Sequence, residues 1–175
     1  MSTMVETAKY QVIRSDGEYE IRKYDTILLA TVKNAPSKFR VLFNYITGSN
    51  KSKKKVAMTS PVITSEEIAM TSPVLSTNES MSFVVPSEYT QETVPEPTDE
   101  RITINKIPER YVAIVRFKGL ARKNIVEKQT DKLLDWLKRE DIQINGLSFL
   151  MQYNPPYVPG FLRRNEIGIE IKYHD

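Results

Sequence analysis

The sequence predicts an internally duplicated α+β fold, in which a strand-strand-helix-strand-strand unit is used twice and two helices lie over a curved antiparallel sheet. Three observations predict it. Two β-rich strand pairs are each followed by an apolar pattern of helical period. Identities recur at a constant offset of 83 residues: Ile21 with Ile104, Lys23 with Lys106, Ala30 with Ala113 and Val32 with Val115. The hexapeptide Ala57-Met58-Thr59-Ser60-Pro61-Val62 recurs letter for letter at Ala69-Met70-Thr71-Ser72-Pro73-Val74, a period too short for a solenoid unit. That spacing fits two copies of one strand-like segment folded back about Ser65-Glu66-Glu67.

Residues 18–33 read as two strands, because Tyr19 and Ile21 alternate with polar neighbours and Thr26 to Val32 is β-rich, with a break at Tyr24-Asp25. Asn34, Pro36 and Ser37 start a helix over about 36–47. Its apolar positions Phe39, Leu42, Phe43 and Ile46 fall at i, i+3, i+4 and i+7 before Gly48 ends it. After the hexapeptides, Met81, Phe83 and Val85 fall on one side of a further strand. Ser87 to Asp99, with Pro95 and Pro97 and no period, reads as a surface connection. The second half repeats the plan. Strands at 101–107 and 111–118 break at Pro108-Glu109, and Val126, Thr130, Leu133, Leu134 and Leu137 face one way along a longer helix. Leu147, Phe149, Met151 and Tyr153 alternate, as do Ile167, Ile169, Ile171 and Tyr173.

At 175 residues, with 40 % hydrophobic and 27 % charged side chains, the chain has the size of one domain, 1–175, whose half-units cover about 9–86 and 100–173. There is no cysteine, so disulfides, thiolate metal sites and a thiol nucleophile are excluded by inventory. Residues 1–10 carry no apolar stretch of signal-peptide length and no eighteen apolar residues run together, so a cytoplasmic protein with no membrane partner is expected. A net charge of +3 gives no case for nucleic acid, and a monomer is expected.

Candidate chemistry is sparse. The sole histidine, His174, is next to last in the chain, which suits a solvated end better than a catalyst and leaves no Ser-His-Asp triad. Lys51-Ser52-Lys53-Lys54-Lys55 suits an anionic ligand or a solvated loop, and no aromatic residues interleave with its lysines. Met58 and Met70, one per hexapeptide, suit either thioether ligation of iron or the filling of core gaps. The segment Tyr153 to Phe161 holds Pro155, Pro156, Pro159 and Gly160, with Tyr157 and Phe161 as its apolar surface. Next to it, Arg163 and Arg164 suit a ligand carboxylate, or Arg164 and Glu166 pin the loop locally. The stripe containing Phe39 and Phe43 is either core or the edge of a pocket for a flat apolar molecule. Glu170 lies opposite the isoleucines of the last strand and is expected to face solvent.

The doubled segment Lys55-Val56-Ala57-Met58-Thr59-Ser60-Pro61-Val62, followed in order by Phe83-Val84-Val85-Pro86-Ser87-Glu88-Tyr89, Val115-Arg116-Phe117-Lys118-Gly119, Tyr153-Asn154-Pro155-Pro156 and Arg163-Arg164-Asn165-Glu166, resembles the SOUL heme-binding protein family over roughly Lys9 to Lys172. The resemblance implies the pseudo-twofold, distorted antiparallel β-barrel with two helices shared with gyrase-inhibitory-protein-like effector domains. It also implies non-catalytic binding of heme or a related tetrapyrrole in an exposed apolar groove, as carrier or buffer. The groove residues it implies are Phe39, Arg40 and Phe43 on the first helix, and Tyr157, Phe161, Arg163 and Arg164 around the Pro-rich loop. With no histidine before His174, axial ligation would come from methionine or tyrosine or be absent, and a readily removed heme is expected. The alternatives are an effector-type receptor for another small apolar or cationic molecule, which needs a carboxylate in its cleft, and a Glu/Tyr-dependent hydrolase, which needs a carboxylate of raised pKa beside a tyrosine hydroxyl.

Overall fold

A computed structural model describes residues 6–53, 65–155 and 157–174. In chain order its elements are β1 (Tyr10–Asp16), β2 (Tyr19–Tyr24), β3 (Ile27–Lys33), α1 (Lys38–Ile46), β4 (Asn50–Lys51), β5 (Val74–Ser76), β6 (Ser80–Val84), β7 (Glu96–Pro97), β8 (Ile102–Ile107), β9 (Arg110–Lys118), α2 (Lys123–Arg139), β10 (Gln143–Gln152), a 3-10 turn (Gly160–Leu162) and β11 (Arg164–Lys172). Among the described residues, nine strands form one antiparallel sheet in the order β1-β2-β9-β11-β10-β5-β6-β3-β8, and β4 and β7 form a two-stranded ribbon. The sheet curls into a half-barrel whose edges are β1 and β8.

Leaving β1 aside, exchanging β2 with β8, β3 with β9, β5 with β10 and β6 with β11 reproduces the same order read from the other end. The register follows suit: Ile21 lies opposite Ala113 where β2 meets β9, and Ile104 lies opposite Ala30 where β8 meets β3. The residues related by the offset of 83 therefore occupy two of the three junctions between halves, the third being β5 with β10. Duplication of the sequence itself stays an expectation with which this symmetry is compatible.

Alternation along the strands separates two faces. Outward-turned Ile21, Ala113, Val115, Ile167, Ile169 and Ile171 pack against Leu133, Trp136 and Leu137 of α2. Ala30, Val32, Phe83 and Ile102 pack likewise against Val41, Leu42, Tyr45 and Ile46 of α1. Burying a large apolar side chain of this kind contributes about 1.5–3 kcal/mol, so each helix is held by the sheet rather than by its own propensity. The inner, concave face carries a third cluster in which Tyr24, Leu29, Leu75 and Val84 from the first half meet Val112, Ile114 and Met151 from the second. A strap at residues 6–9 crosses it. Ala8 N–H donates to Ser72 O (3.0 Å), Ser72 N–H to Glu6 O (2.8 Å) and Asp25 N–H to Lys9 O (3.1 Å), which seats the Ala8 methyl in the inner cluster.

Several expectations are corrected. The buried side of α1 is Val41, Leu42, Tyr45 and Ile46, so the helix is rotated away from the Phe39/Phe43 stripe, whose rings stay about half exposed. The Tyr45 hydroxyl donates to Pro95 O (2.5 Å), which fixes that rotation and, with buried Val94, ties the 87–99 connection into the core. On α2, Leu134 is exposed and Trp136 takes the core position, its ring stacked on Tyr19 at 5.0 Å and its indole N–H donating to Asp16 (2.9 Å). Leu147 is 87 % exposed although Phe149 and Met151 point inward, because the pairing of β10 with β11 shifts register between Ile144 and Ser148. The first hexapeptide lies outside the described residues, so the proposed fold-back does too. The second copy joins β5 only at Val74, after Ser72 forms a parallel bridge with Thr7.

Candidate functional site

Two regions carry candidate function, one on the outer surface and one on the concave face. On the outer surface, Phe39 and Phe43 stand one helical turn apart on α1 with ring centroids 6.0 Å apart and planes 13° from parallel, and Phe39 meets Phe83 edge-on at 5.3 Å. They are 45 % and 44 % exposed, and the exposed Arg40 lies on the same helix. The loop leaving β10 carries Tyr157 and Phe161, 86 % and 74 % exposed. Its root is fixed by the sheet: Gln152 pairs with Val74, and Val74 pairs with Phe83. The loop thus starts two strand spacings, roughly 10 Å, from the phenylalanine under Phe39.

The two arginines diverge. Arg163 Nε donates to Val158 O (2.9 Å), closing the Pro-rich loop on itself. Arg164 points to the concave face, donates to Glu166 Oε2 (3.0 Å) and lies 4.3 Å over the Tyr153 ring. The local pin between Arg164 and Glu166 is therefore made. Among the remaining candidates, Lys53 Nζ donates to Gln91 O (3.3 Å), Lys54, Lys55 and Met58 fall outside the described residues, and Met70 is 37 % exposed. His174 is exposed at the chain end. Glu170 is half-buried and accepts from Arg110 (3.4 Å) and Asn145 (3.2 Å) instead of standing free in solvent. Among the described residues, no group of three or more His, Cys, Asp or Glu side chains is placed to hold a metal ion.

Of the second region, sequence reasoning found only the pin between Arg164 and Glu166. Alternation turns Glu20, Arg22 and Tyr24 of β2 inward, and antiparallel β11 brings Glu166 to them across β9. Arg22 and Glu166 are both fully buried and form a bidentate pair, Nη1 to Oε1 at 2.7 Å and Nη2 to Oε2 at 2.6 Å. Arg22 Nε donates to Glu20 Oε2 (2.6 Å), Nη1 also donates to the Tyr24 hydroxyl (2.9 Å), and the Tyr10 ring covers the guanidinium at 4.1 Å. Glu20 in turn receives Arg116 at 3.2 Å. The Tyr153 hydroxyl donates to Glu166 Oε1, so each oxygen of this carboxylate has two donors. The signal that could have found the site is an arginine and a glutamate at inward positions of strands whose other face is already apolar.

The electrostatics follow from that saturation. Burial pushes the Glu166 carboxyl up, but the Arg22 guanidinium, Tyr153 and Arg164 outweigh it and hold the group below the ordinary carboxylate range. Burial opposes charge on Arg22 as well, yet Glu166 and Tyr24 raise it further above its ordinary value. Burial pushes the Tyr24 hydroxyl up to about 12 and raises Tyr153 too. Glu166 is thus held ionised with its lone pairs occupied, which removes it both as a proton donor and as an attractor of cationic ligands. The adjoining cleft is filled: the cavity among Ala8, Tyr24, Leu75, Val84, Phe149 and Met151 measures about 10 Å³. That is room for about one water. A shallow groove of about 640 Å³ lies over Tyr10, Glu20, Arg22, Arg116 and Arg164.

Known structures share the fold at low identity. A hydrolase from Listeria innocua superposes with a TM-score of 0.57 at 8 % identity, covering 91 % of this chain and 94 % of that one. The EcmrR C-terminal domain superposes with a TM-score of 0.56 at 10 % identity, covering 94 % and 99 %. No curated protein matches the sequence. No described helix is long and apolar enough to cross a membrane. The family model for the SOUL heme-binding protein matches residues 5–170, and the chain belongs to that family.

Proposed function

We propose that this protein binds heme or a related tetrapyrrole, without catalysis, against the outer surface between α1 and the Pro-rich loop. The observation that carries the reading, beside family membership, is the half-exposed, nearly parallel pair Phe39 and Phe43, rooted two strands from the loop that bears Tyr157 and Phe161. Half-exposed aromatic faces are costly to leave in water and suit a flat apolar ring. The loop aromatics would cover the second side of the macrocycle. Arg40 and Arg163 would pair with the propionates, and Arg164 would contribute only to the extent that it leaves Glu166. The donor set gives iron no histidine, so affinity would rest on stacking and on arginine–propionate pairing, with metal-free porphyrin held as well as heme. When bound, heme would supply a redox-active iron, and the chain's own contribution is to bind and orient the ring. The alternative readings both need the concave cleft. The four donors on Glu166 count against it as the cleft carboxylate of an effector receptor and as the acid or base of a Glu/Tyr hydrolase.

The test is a parallel titration with ferric hemin, followed at the Soret band, and with metal-free protoporphyrin, followed by fluorescence. Saturable binding of both is expected, weakened about tenfold or more in Phe39→Ser/Phe43→Ser, since base-like stacking on an aromatic ring is worth roughly 1–3 kcal/mol. The rings lie outside the core, so the variant should fold. Binding of neither ligand, or equal binding by the variant, would overturn the reading.

A further inference from the structure

We infer that the tip formed by the β9–α2 connection and the Pro-rich loop docks the protein on an anionic lipid surface. The two segments are one unit. Gly119 N–H donates to Arg163 O (3.0 Å), Asn165 Nδ2 donates to Gly119 O (2.6 Å), and Leu120 packs so closely on Gly160 that a Cβ there would lie 2.8 Å from Leu120 Cδ2. This unit holds up four large apolar side chains, Leu120, Tyr157, Phe161 and Leu162, which are 40 %, 86 %, 74 % and 53 % exposed. At such exposure they project from the surface rather than line a groove. Tyrosine, phenylalanine and leucine at a projecting tip match the chemistry of the headgroup–acyl boundary.

The charges around the tip argue for an anionic surface. Lys118, Arg122 and Lys123 are exposed on the same connection. Arg122 is the N-cap residue of α2 and Lys123 its first residue, and the first turn has neither an acidic residue nor a side-chain cap. The positive end of the helix dipole disfavours cations there and would favour acids, so local stability gives no reason for this arrangement. An opposing negative surface does. The buried Glu166 is saturated by its own donors and does not neutralise the rim, and Glu127 is the first acid along α2, a turn further on. Three exposed cations beside a compact apolar tip fit lipid headgroups better than a folded protein partner, whose interface would need a larger and mixed surface. The expectation of no membrane partner came from the lack of an apolar run long enough to cross; lying on a surface needs no such run.

This inference goes beyond tetrapyrrole binding, although Tyr157 and Phe161 belong to both. It is tested by co-sedimentation with vesicles of phosphatidylcholine alone and of phosphatidylcholine with about 30 % phosphatidylserine, at low salt and at about 0.5 M NaCl. The wild type should partition onto the serine-containing vesicles only and be released by salt. Arg122→Glu/Lys123→Glu should lower that partition at least tenfold, since each basic residue near such a surface contributes roughly fivefold. The same change places acids at a helix N-terminus, where they stabilise α2, so loss of folding is not a competing explanation. Leu162→Ser should lower partition at least threefold at low salt. Equal partition onto both vesicle types, no partition, or wild-type partition by the charge-reversed variant would overturn the inference. Neither Arg122 nor Lys123 belongs to the tetrapyrrole set, so hemin titration of that variant should match the wild type. Failure of hemin binding in the wild type would sink the other reading and leave this one standing.

Discussion

Replacing Arg22 by methionine isolates the most strongly coupled group in the molecule. The substitution keeps an unbranched side chain of similar reach but deletes the bidentate pair to Glu166 at 2.7 and 2.6 Å and the bond to Glu20 at 2.6 Å. Adding three charge-assisted bonds at their separate values would overcount, because Glu20 keeps Arg116 and Glu166 keeps Tyr153 and Arg164. Breaking one partner of a buried ion pair costs about 3–5 kcal/mol, which for a chain of this length lowers Tm by roughly 10 °C. Urea unfolding followed by the fluorescence of Trp136 reads the change, since this single tryptophan is buried and stacked on Tyr19. The sign of the pH dependence is specific. In the wild type the folded Glu166 carboxyl lies below its ordinary value, so its contribution is present above the ordinary carboxylate range and is lost as pH falls through the lower folded value. Without Arg22, burial dominates and raises the folded value above the ordinary one. The variant's deficit then grows as pH rises through that raised value and shrinks toward acid, so the gap to wild type is wider at about pH 7.5 than at about pH 5. Adding Glu166→Gln removes the stranded charge while keeping one acceptor, for Arg164, and turning the amide NH2 to the Tyr153 hydroxyl, which can accept; the double variant should be more stable than the sum of the single losses by about 2 kcal/mol. A loss below about 1 kcal/mol, a gap that does not narrow toward acid, or additivity within about 0.5 kcal/mol would refute the account.

Two further changes test the packing of β10 against β11. Gly168→Ala places a methyl 2.7 Å from Phe149 Cζ and 3.2 Å from Met151 Cε; it should cost about 1–3 kcal/mol in urea unfolding, with at least half recovered by adding Phe149→Leu. Leu147→Asn, at a side chain 87 % exposed beyond the register shift, should leave the unfolding midpoint within about 0.5 kcal/mol of wild type, whereas a core position in line with Phe149 and Met151 would lose several times that.

The outward faces of the strands were legible because they obey a single rule. Ile167, Ile169 and Ile171 alternate with groups of another kind, and a helix covers them. The same rule failed where both faces are buried. Val112, Ala113, Ile114 and Val115 are all buried, so β9 presents an unbroken apolar run in which period carries no information about facing. Arg22 was invisible for the same reason, and Glu166 was legible only as a local partner of Arg164: in a strand assumed to have one wet face, a charged residue at the alternate position is assigned to solvent. The helix error has a different origin. The spacing of Phe39, Leu42, Phe43 and Ile46 is truly amphipathic, but Val41 and Tyr45 fall within one step of it, and the hydrogen bond from Tyr45 to Pro95 lies far outside any local window. The Pro-rich loop was legible as exposed apolar surface because prolines and a glycine between aromatics give no element in which to bury them.

The fold is shared with proteins described as hydrolases, and a tyrosine does touch a glutamate here, so the decisive question is the state of that carboxylate. A general acid needs a proton to give at neutral pH, and a general base needs a free lone pair aimed at a substrate. Glu166 has neither. Arg22 lowers its proton affinity, and its two oxygens already accept from Arg22, Tyr153 and Arg164. The same residue types would support chemistry only if the guanidinium were absent and the cleft were open, and here Arg22 is buried beneath Tyr10 while Ala8 and Met151 help to fill the cleft. The concave face therefore spends its polar groups on one another and serves stability. What it leaves unsatisfied lies on the outside: two nearly parallel, half-exposed phenylalanine rings, and an apolar tip beside lysine and arginine at the wrong end of a helix dipole. Both features cost the isolated protein stability, and both costs would vanish if the proposed flat apolar ligand and anionic surface covered them.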